Sequence, residues 1–228
     1  MVTSFPLEQA LSLRSYLNPD VTLKEIADSL QSGQLVSIRE ALPLALAEQV
    51  HQCLVDSPDW YPHDSYSPDF PRGPESEGFN YRHHNLYNPS LYPPALSVCR
   101  DIFASHPTRQ FIENLTGLPC AGPTSFSASW YQPGDHSTPH NDHVENHRGQ
   151  RRQVAFVWHL SKNWRPEWGG SLFWCPTGHY LTPSFNTLYL FNVTAESFHL
   201  VTQVSPLATS RRLTVNGWWL DAAEKMIT

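Results

Sequence analysis

From Ser125 onward, eight short segments rich in β-branched and aromatic residues alternate with turn formers: 125–132, 138–143, 152–160, 170–175, 178–182, 186–191, 199–204 and 211–219. Runs of this length, separated by Pro, Gly, Asn and Ser, read as strands rather than helices. Eight strands at this spacing are what a double-sheet jelly roll, or double-stranded β-helix, requires. The 20 prolines in 228 residues and a mean hydropathy of −0.41 favour such a loop-rich fold over a helix bundle. An apolar content of 40% is still enough for a sizeable core.

The first 124 residues have a different texture. Residues 7–16 carry apolar spacing compatible with a short helix, and Thr22-Leu-Lys-Glu25 is a capping box opening a second one that Gly33 stops. Residues 34–39, led by Leu35 and Val36, alternate like an edge strand. Pro43 then opens a helix in which Leu44, Ala47, Val50, His51 and Leu54 recur at helical spacing. Residues 91–104 and 107–116 read as two more helices, the second closed by Gly117. Between them, residues 56–94 hold Trp60, Tyr61, Tyr66, Phe70, Tyr81, Tyr87 and Tyr92 among polar residues and prolines, with a short strand expected from Phe79 to Leu86. So many aromatics argue against plain disorder and suggest an anchored surface loop or the wall of a binding site. The expected whole is mostly β with flanking α: a single domain over 1–228, in which 1–124 supply helical support and the aromatic loop and 125–220 form the jelly-roll core. The N-terminal helices are expected to brace one sheet.

Charge and cysteine usage exclude several functions. A net charge of −6 and a pI near 6.0 argue against a nucleic-acid surface, and Arg148, Arg151 and Arg152 are too few to reverse that balance. Cys53, Cys99, Cys120 and Cys175 are scattered without a C-x-x-C pair, so a structural zinc site is not expected. With no signal peptide evident and no apolar stretch long enough to span a bilayer, the expected location is cytoplasmic, with reduced thiols and no membrane contact.

His140-Asn141-Asp142 and the distant His199 carry the chemistry. Two histidines and one carboxylate can hold one face of an octahedral iron(II), leaving three positions for a cosubstrate and dioxygen. The tripeptide is weak by itself. With 12 histidines and 21 acidic residues, chance supplies roughly one His-x-Asp/Glu, and His143-Val144-Glu145 is a second match.

The order of the surrounding features is more specific. Tyr131-Gln-Pro-Gly134-Asp135 leads into His140-Asn-Asp142, followed by the doubled Arg151-Arg152 before a strand and by Trp168-Gly169-Gly170. Ser197-Phe-His199-Leu-Val-Thr-Gln-Val204 then precedes Arg212-Leu-Thr-Val-Asn-Gly-Trp218. In this order the chain resembles the prolyl-hydroxylase-like group of iron(II)/2-oxoglutarate oxygenases, and within it the ribosomal-protein prolyl hydroxylase branch, over about residues 125–220. The resemblance implies that His140, Asp142 and His199 bind iron(II), and that the cosubstrates are 2-oxoglutarate and dioxygen, with ascorbate an optional reductant. His140 and Asp142, two apart on a strand or its edge, would leave on the same side.

It also implies a fixed cation for the distal carboxylate of 2-oxoglutarate, a task suited to the planar fork of Arg. Strand parity puts Arg212, Thr214 and Asn216 on one face and Arg211, Leu213 and Val215 on the other. The family pattern turns Arg-x-Ser inward, which selects Arg212 with Thr214 as the hydroxyl donor and leaves Arg211 solvated. Tyr131 matches a family position whose phenol reaches the cosubstrate. His159 departs from the family, where Tyr is common; imidazole can donate the same hydrogen bond, with a charge that depends on pH. His136, His143, His147 and His179 read as loop residues, and Gly169-Gly170 as a tight turn.

The implied reaction is hydroxylation of a C–H bond coupled to decarboxylation of 2-oxoglutarate to succinate. The carboxylate of Asp142 favours hydroxylation over halogenation, for which related enzymes leave that position empty. The substrate is a peptidyl residue such as proline, a free amino acid or a small metabolite. Two other readings stand beside it: a non-catalytic metal-binding jelly-roll module, against which all four key residues speak, and a zinc hydrolase, for which a general base and an H-E-x-x-H helix are missing.

Overall fold

In a computed structural model, residues 5–17, 22–63, 78–84 and 92–222 are described. Five helices precede or interrupt the first strands: α1 (Leu7–Leu17), α2 (Leu23–Gln31), α3 (Leu44–Asp56), α4 (Pro94–Ala104) and α5 (His106–Thr116). The strands are β1 (Val36–Arg39), β2 (Trp60–His63), β3 (Phe79–His84), β4 (Thr124–Tyr131), β5 (His136–His140), β6 (Arg152–His159), β7 (Leu172–Trp174), β8 (His179–Leu181), β9 (Thr187–Asn192), β10 (His199–Val201) and β11 (Arg212–Leu220). All eight strands expected after Ser125 are present.

A major sheet runs β1-β9-β6-β11-β4-β3, and a minor sheet runs β5-β10-β7-β8. Strand β3 joins them, pairing with β4 through Arg82–His84 and with β5 through Phe79 and Asn80. Antiparallel sheets stacked this way form the jelly roll.

Period-two alternation decides what each face meets. On β6, Val154, Phe156 and Trp158 join the helices in the main core, while Ala155 and Val157 face the interior of the roll beside Tyr189 and Phe191. On β11, Leu213, Val215 and Trp219 likewise turn to the helices. Phe103 of α4 stacks on Phe156 at 4.5 Å, and its carbonyl accepts the Trp219 indole N–H at 2.8 Å. Each such buried aromatic contributes about 2–3 kcal/mol by removal from water. The helices therefore brace one face of the major sheet, as expected.

The helix boundaries follow their capping chemistry. Thr22 and Glu25 exchange hydrogen bonds in the anticipated capping box, and Gly117 ends α5 in the left-handed conformation. In α3, Leu44 is 63% exposed and Leu46 is buried instead, because the core-facing stripe runs Leu46, Ala47, Val50 and Leu54. Strand β2 was not anticipated; Pro62 is tolerated there because, among the described strands, β2 pairs with β3 alone and lies at an edge. His136 and His179, expected in loops, begin β5 and β8. All four cysteines are unpaired, and no helix among the described residues is long and apolar enough to cross a membrane.

Candidate active site

A cavity of about 300 Å³ opens between the two sheets. Its lining includes His140, Asp142, His199, Tyr131, Arg212 and Thr214. Of the site residues read from the sequence, only His159 is absent from that lining.

His140 ends β5 and lies directly opposite His199 of β10 in the strand register. Each ring turns its Nδ1–H to a carbonyl two residues back: His140 to Thr138 at 2.8 Å and His199 to Ser197 at 3.0 Å. A carbonyl can only accept, so the proton sits on Nδ1 and the Nε2 lone pair remains. These Nε2 atoms lie 3.9 and 3.6 Å from the two oxygens of Asp142, and the three donors fall within 4.8 Å of one another. Burial pushes His199 down to about 4, with His140 adding to that and Asp142 opposing it.

Asp142 does not share a strand with His140. β5 stops at His140, and Asp142 follows in the left-handed region at φ 60. A backbone reversal, rather than strand alternation, aims the carboxylate at the histidines. Two side chains then hold it: Arg152 Nη1 donates to Oδ1 and Trp218 Nε1 to Oδ2, both at 3.1 Å, with the Arg152 guanidinium 3.6 Å over the Trp218 ring. Burial alone would raise this carboxyl. His199, His140, Arg152 and the Trp218 hydrogen bond outweigh it and bring Asp142 below its ordinary range.

Sequence reasoning missed both supporting residues. Trp218 was legible, since it shares the inward parity of Arg212, Thr214 and Asn216. Arg152 was not, because a bulge between β6 and β11 at Trp219/Leu220 breaks the alternation there.

Arg212 is 2% exposed, and among the described residues no carboxylate pairs with it. Its guanidinium lies 4.5 Å over the Tyr131 ring, which stacks on Tyr81 at 4.8 Å, and its Nε donates to the Gly170 carbonyl. A buried cation without a counter-ion is costly, so the geometry calls for an anionic ligand. Arg211 faces the other way, as parity required, but it is not simply solvated. It donates to the Val55 carbonyl at 2.9 Å and lies 4.1 Å over Trp130, serving the helix-side packing.

His159 is fully buried on the inward face of β6, between Thr187 and Thr214 in register, with Tyr189 at 4.7 Å. Among the described residues neither ring nitrogen has a hydrogen-bond partner, and the Thr187 hydroxyl is also unsatisfied. Such groups cost about 1–3 kcal/mol each when nothing meets them. Burial first, then the charge of Arg212, hold His159 well below its ordinary range. It is therefore neutral near pH 7 and can donate one hydrogen bond. A group whose folded value is depressed gives stability that is complete above its unfolded value near 6.5 and is lost as pH falls towards the folded one. Ligand-free wild-type protein is expected to lose urea resistance below about pH 6.5, and His159→Phe to lose less. Parallel pH profiles for the two proteins would contradict this.

Phe79, 4.8 Å from the His140 ring, and Tyr81 line the cavity from β3, which is the described part of the aromatic segment that meets the site. Tyr66, Phe70 and Tyr87 lie outside the described residues. Trp60 packs instead on His84 and Trp130, away from the cavity. The second His-x-Glu match is exposed, with Glu145 paired to Arg151 at 3.0 Å.

Two imidazoles and a carboxylate on a buried wall suit iron(II), and an arginine in the same cavity with no carboxylate partner among the described residues suits a dicarboxylate. Comparison with known proteins agrees. Residues 126–220 match the family model of the 2OG-Fe(II) oxygenase superfamily. Over these residues, the jelly-roll core, the chain is similar to that superfamily.

It is 26% identical over 221 residues to mouse prolyl 3-hydroxylase OGFOD1, covering 88% of this chain and 38% of the relative. The Xenopus laevis counterpart is 31% identical over 121 residues, covering 49% and 22%. The chain thus spans well under half the length of these relatives. Among solved structures, a Pseudomonas putida prolyl-4-hydroxylase superposes with a TM-score of 0.65 at 20% identity, covering 88% of this chain and 99% of the other. A Trichoplax adhaerens prolyl hydroxylase, solved with a hypoxia inducible factor peptide fragment, gives 0.63 at 16% identity, covering 93% of each. These two show a shared fold.

Proposed function

We propose that the protein is an iron(II)/2-oxoglutarate-dependent hydroxylase of a peptidyl residue, with proline the first candidate. The observation that carries this is one cavity holding both the His140–Asp142–His199 cluster and an arginine with no carboxylate partner among the described residues. Prolyl hydroxylase relatives in sequence and fold, one of them solved with a peptide, favour a peptide over a free amino acid or small metabolite.

Iron(II) with 2-oxoglutarate and dioxygen supplies the oxidising power, yielding succinate and the hydroxylated product. The chain's own residues prepare that chemistry. Thr138 and Ser197 carbonyls orient His140 and His199 so that Nε2 faces the metal position. Arg152 and Trp218 keep the Asp142 carboxylate ionised and turned inward. Arg212 receives the distal carboxylate of the cosubstrate, and the Thr214 hydroxyl turns to it from a long 3.3 Å bond to Asn216 Oδ1, with neutral His159 buried beside Thr214 in register. Tyr131 backs the arginine and reaches the cosubstrate from its own side. Phe79, Tyr81 and Trp218 form the apolar wall against which the substrate residue lies and which keeps water out. Four unpaired cysteines accord with a cytosolic setting.

Anaerobic loading with iron(II) and 2-oxoglutarate is expected to give the visible charge-transfer band of the chelate. Proline-containing peptides should perturb that band and release succinate on admission of air. A protein that binds both yet shows no chelate band would refute the proposal. Succinate release with free amino acids and none with peptides would replace the substrate class.

A further inference from the structure

Trp168-Gly169-Gly170 precedes β7 and was expected to be only a tight turn. Given Arg212 as the anion-binding residue proposed above, we infer that Gly170 is its positioning residue, and that this turn sets the length of dicarboxylate the site accepts.

Gly170 is buried, has φ 64, and places its carbonyl on Arg212 Nε. A Cβ built there would stand 2.9 Å from Arg212 Cδ and 3.2 Å from both Trp164 Cζ2 and Val204 Cγ2. Cδ lies midway along a side chain whose far end is already held over Tyr131, so it has little freedom to yield. The turn cannot easily retreat either. Trp164 Nε1 donates to the Gly169 carbonyl at 3.0 Å, Ser205 N to the Trp168 carbonyl at 2.8 Å, and Ser171 and Thr202 exchange bonds beneath it. A Cβ at Gly169 would stand 2.2 Å from the Gln203 carbonyl, which closes the other direction.

The guanidinium is thus held from behind by a carbonyl and occupies space that only glycine leaves open. One N–H is spent on the turn, and the remaining fork faces the ligand. Where the fork sits decides which acid spans from metal to arginine. Moving it off the turn shortens that span.

The test uses the full chain loaded with manganese(II), and dissociation constants for 2-oxoglutarate, the one-carbon-shorter oxaloacetate and the one-carbon-longer 2-oxoadipate. Gly170→Ala should weaken 2-oxoglutarate by about tenfold or more and shift the affinity ratio towards oxaloacetate, with manganese affinity unchanged. Gly178→Ala is the control. It has a similar φ of 69 and an exposed position where a Cβ meets nothing within 4 Å, so ratio and affinity should stay as in wild type. Wild-type ratios in Gly170→Ala, or an equal weakening of all three acids together with manganese, would overturn the inference. If Gly170→Ala does not fold, Trp164→Phe loosens the same turn by removing its hydrogen bond to Gly169, and an unchanged ratio in that variant overturns it equally. Wild-type protein that binds none of the three acids overturns the assignment of Arg212, and the inference with it.

Discussion

His199→Ala should lose divalent-metal binding and turnover together. Metal affinity should fall by more than about 100-fold, since even outer-shell partners of a metal ligand cost 10–100-fold. The side chain sits in β10 between Trp174 and Phe191, opposite His140, where no other described histidine or carboxylate can take its place. Truncation also opens a small cavity, costing about 1–3 kcal/mol, which the surrounding sheet pairing should withstand. Manganese(II) binding followed by electron paramagnetic resonance, beside a thermal melt, separates ligand loss from unfolding. His143→Ala should retain the wild-type affinity because its side chain is exposed and lies outside the His140–Asp142–His199 cluster. Full metal binding by a folded His199→Ala protein would refute the three-residue site.

Arg212→Ala and Arg211→Ala should part company sharply. Arg212→Ala removes the one buried cation that lines the cavity among the described residues, and an interaction of this kind is worth about 2–5 kcal/mol. The 2-oxoglutarate requirement should rise by about 30-fold or more, with metal affinity preserved. Arg211→Ala should leave that requirement alone and lower stability by about 1–2 kcal/mol, through loss of the Val55 hydrogen bond and the contact with Trp130. Steady-state dependence on 2-oxoglutarate and urea midpoints for both variants check this. The opposite pattern would mean that β11 presents its other face to the cavity.

Several parts of this site could be read without coordinates because period-two alternation is a local property. On β11 it separated Arg212 and Thr214 from Leu213 and Val215, and the register with β4 and β6 agrees. Eight short apolar segments and a Thr22–Glu25 capping box are likewise local signals, each expressed within a few residues. The metal cluster was legible through the order of motifs, although strand geometry was the wrong reason for pairing His140 with Asp142. The left-handed backbone at Asp142 leaves no mark in a residue pattern.

What escaped the linear reading involves partners far apart in the chain or irregular backbone. Arg152 reaches Asp142 because a bulge redirects it, and Gly170 meets Arg212 only when β7 and β11 are folded against one another. That His159 has no hydrogen-bond partner among the described residues is also a property of packing, since no residue pattern says which buried nitrogen will be left unsatisfied. Residue type and alternation were enough to settle the β-rich architecture and the inward face of β11, and motif order singled out the three side chains that converge in the cavity. Tertiary structure decided how the carboxylate is aimed, what holds it, and which turn sets the arginine, because hydrogen bonds and steric exclusion depend on distances that only the folded chain creates.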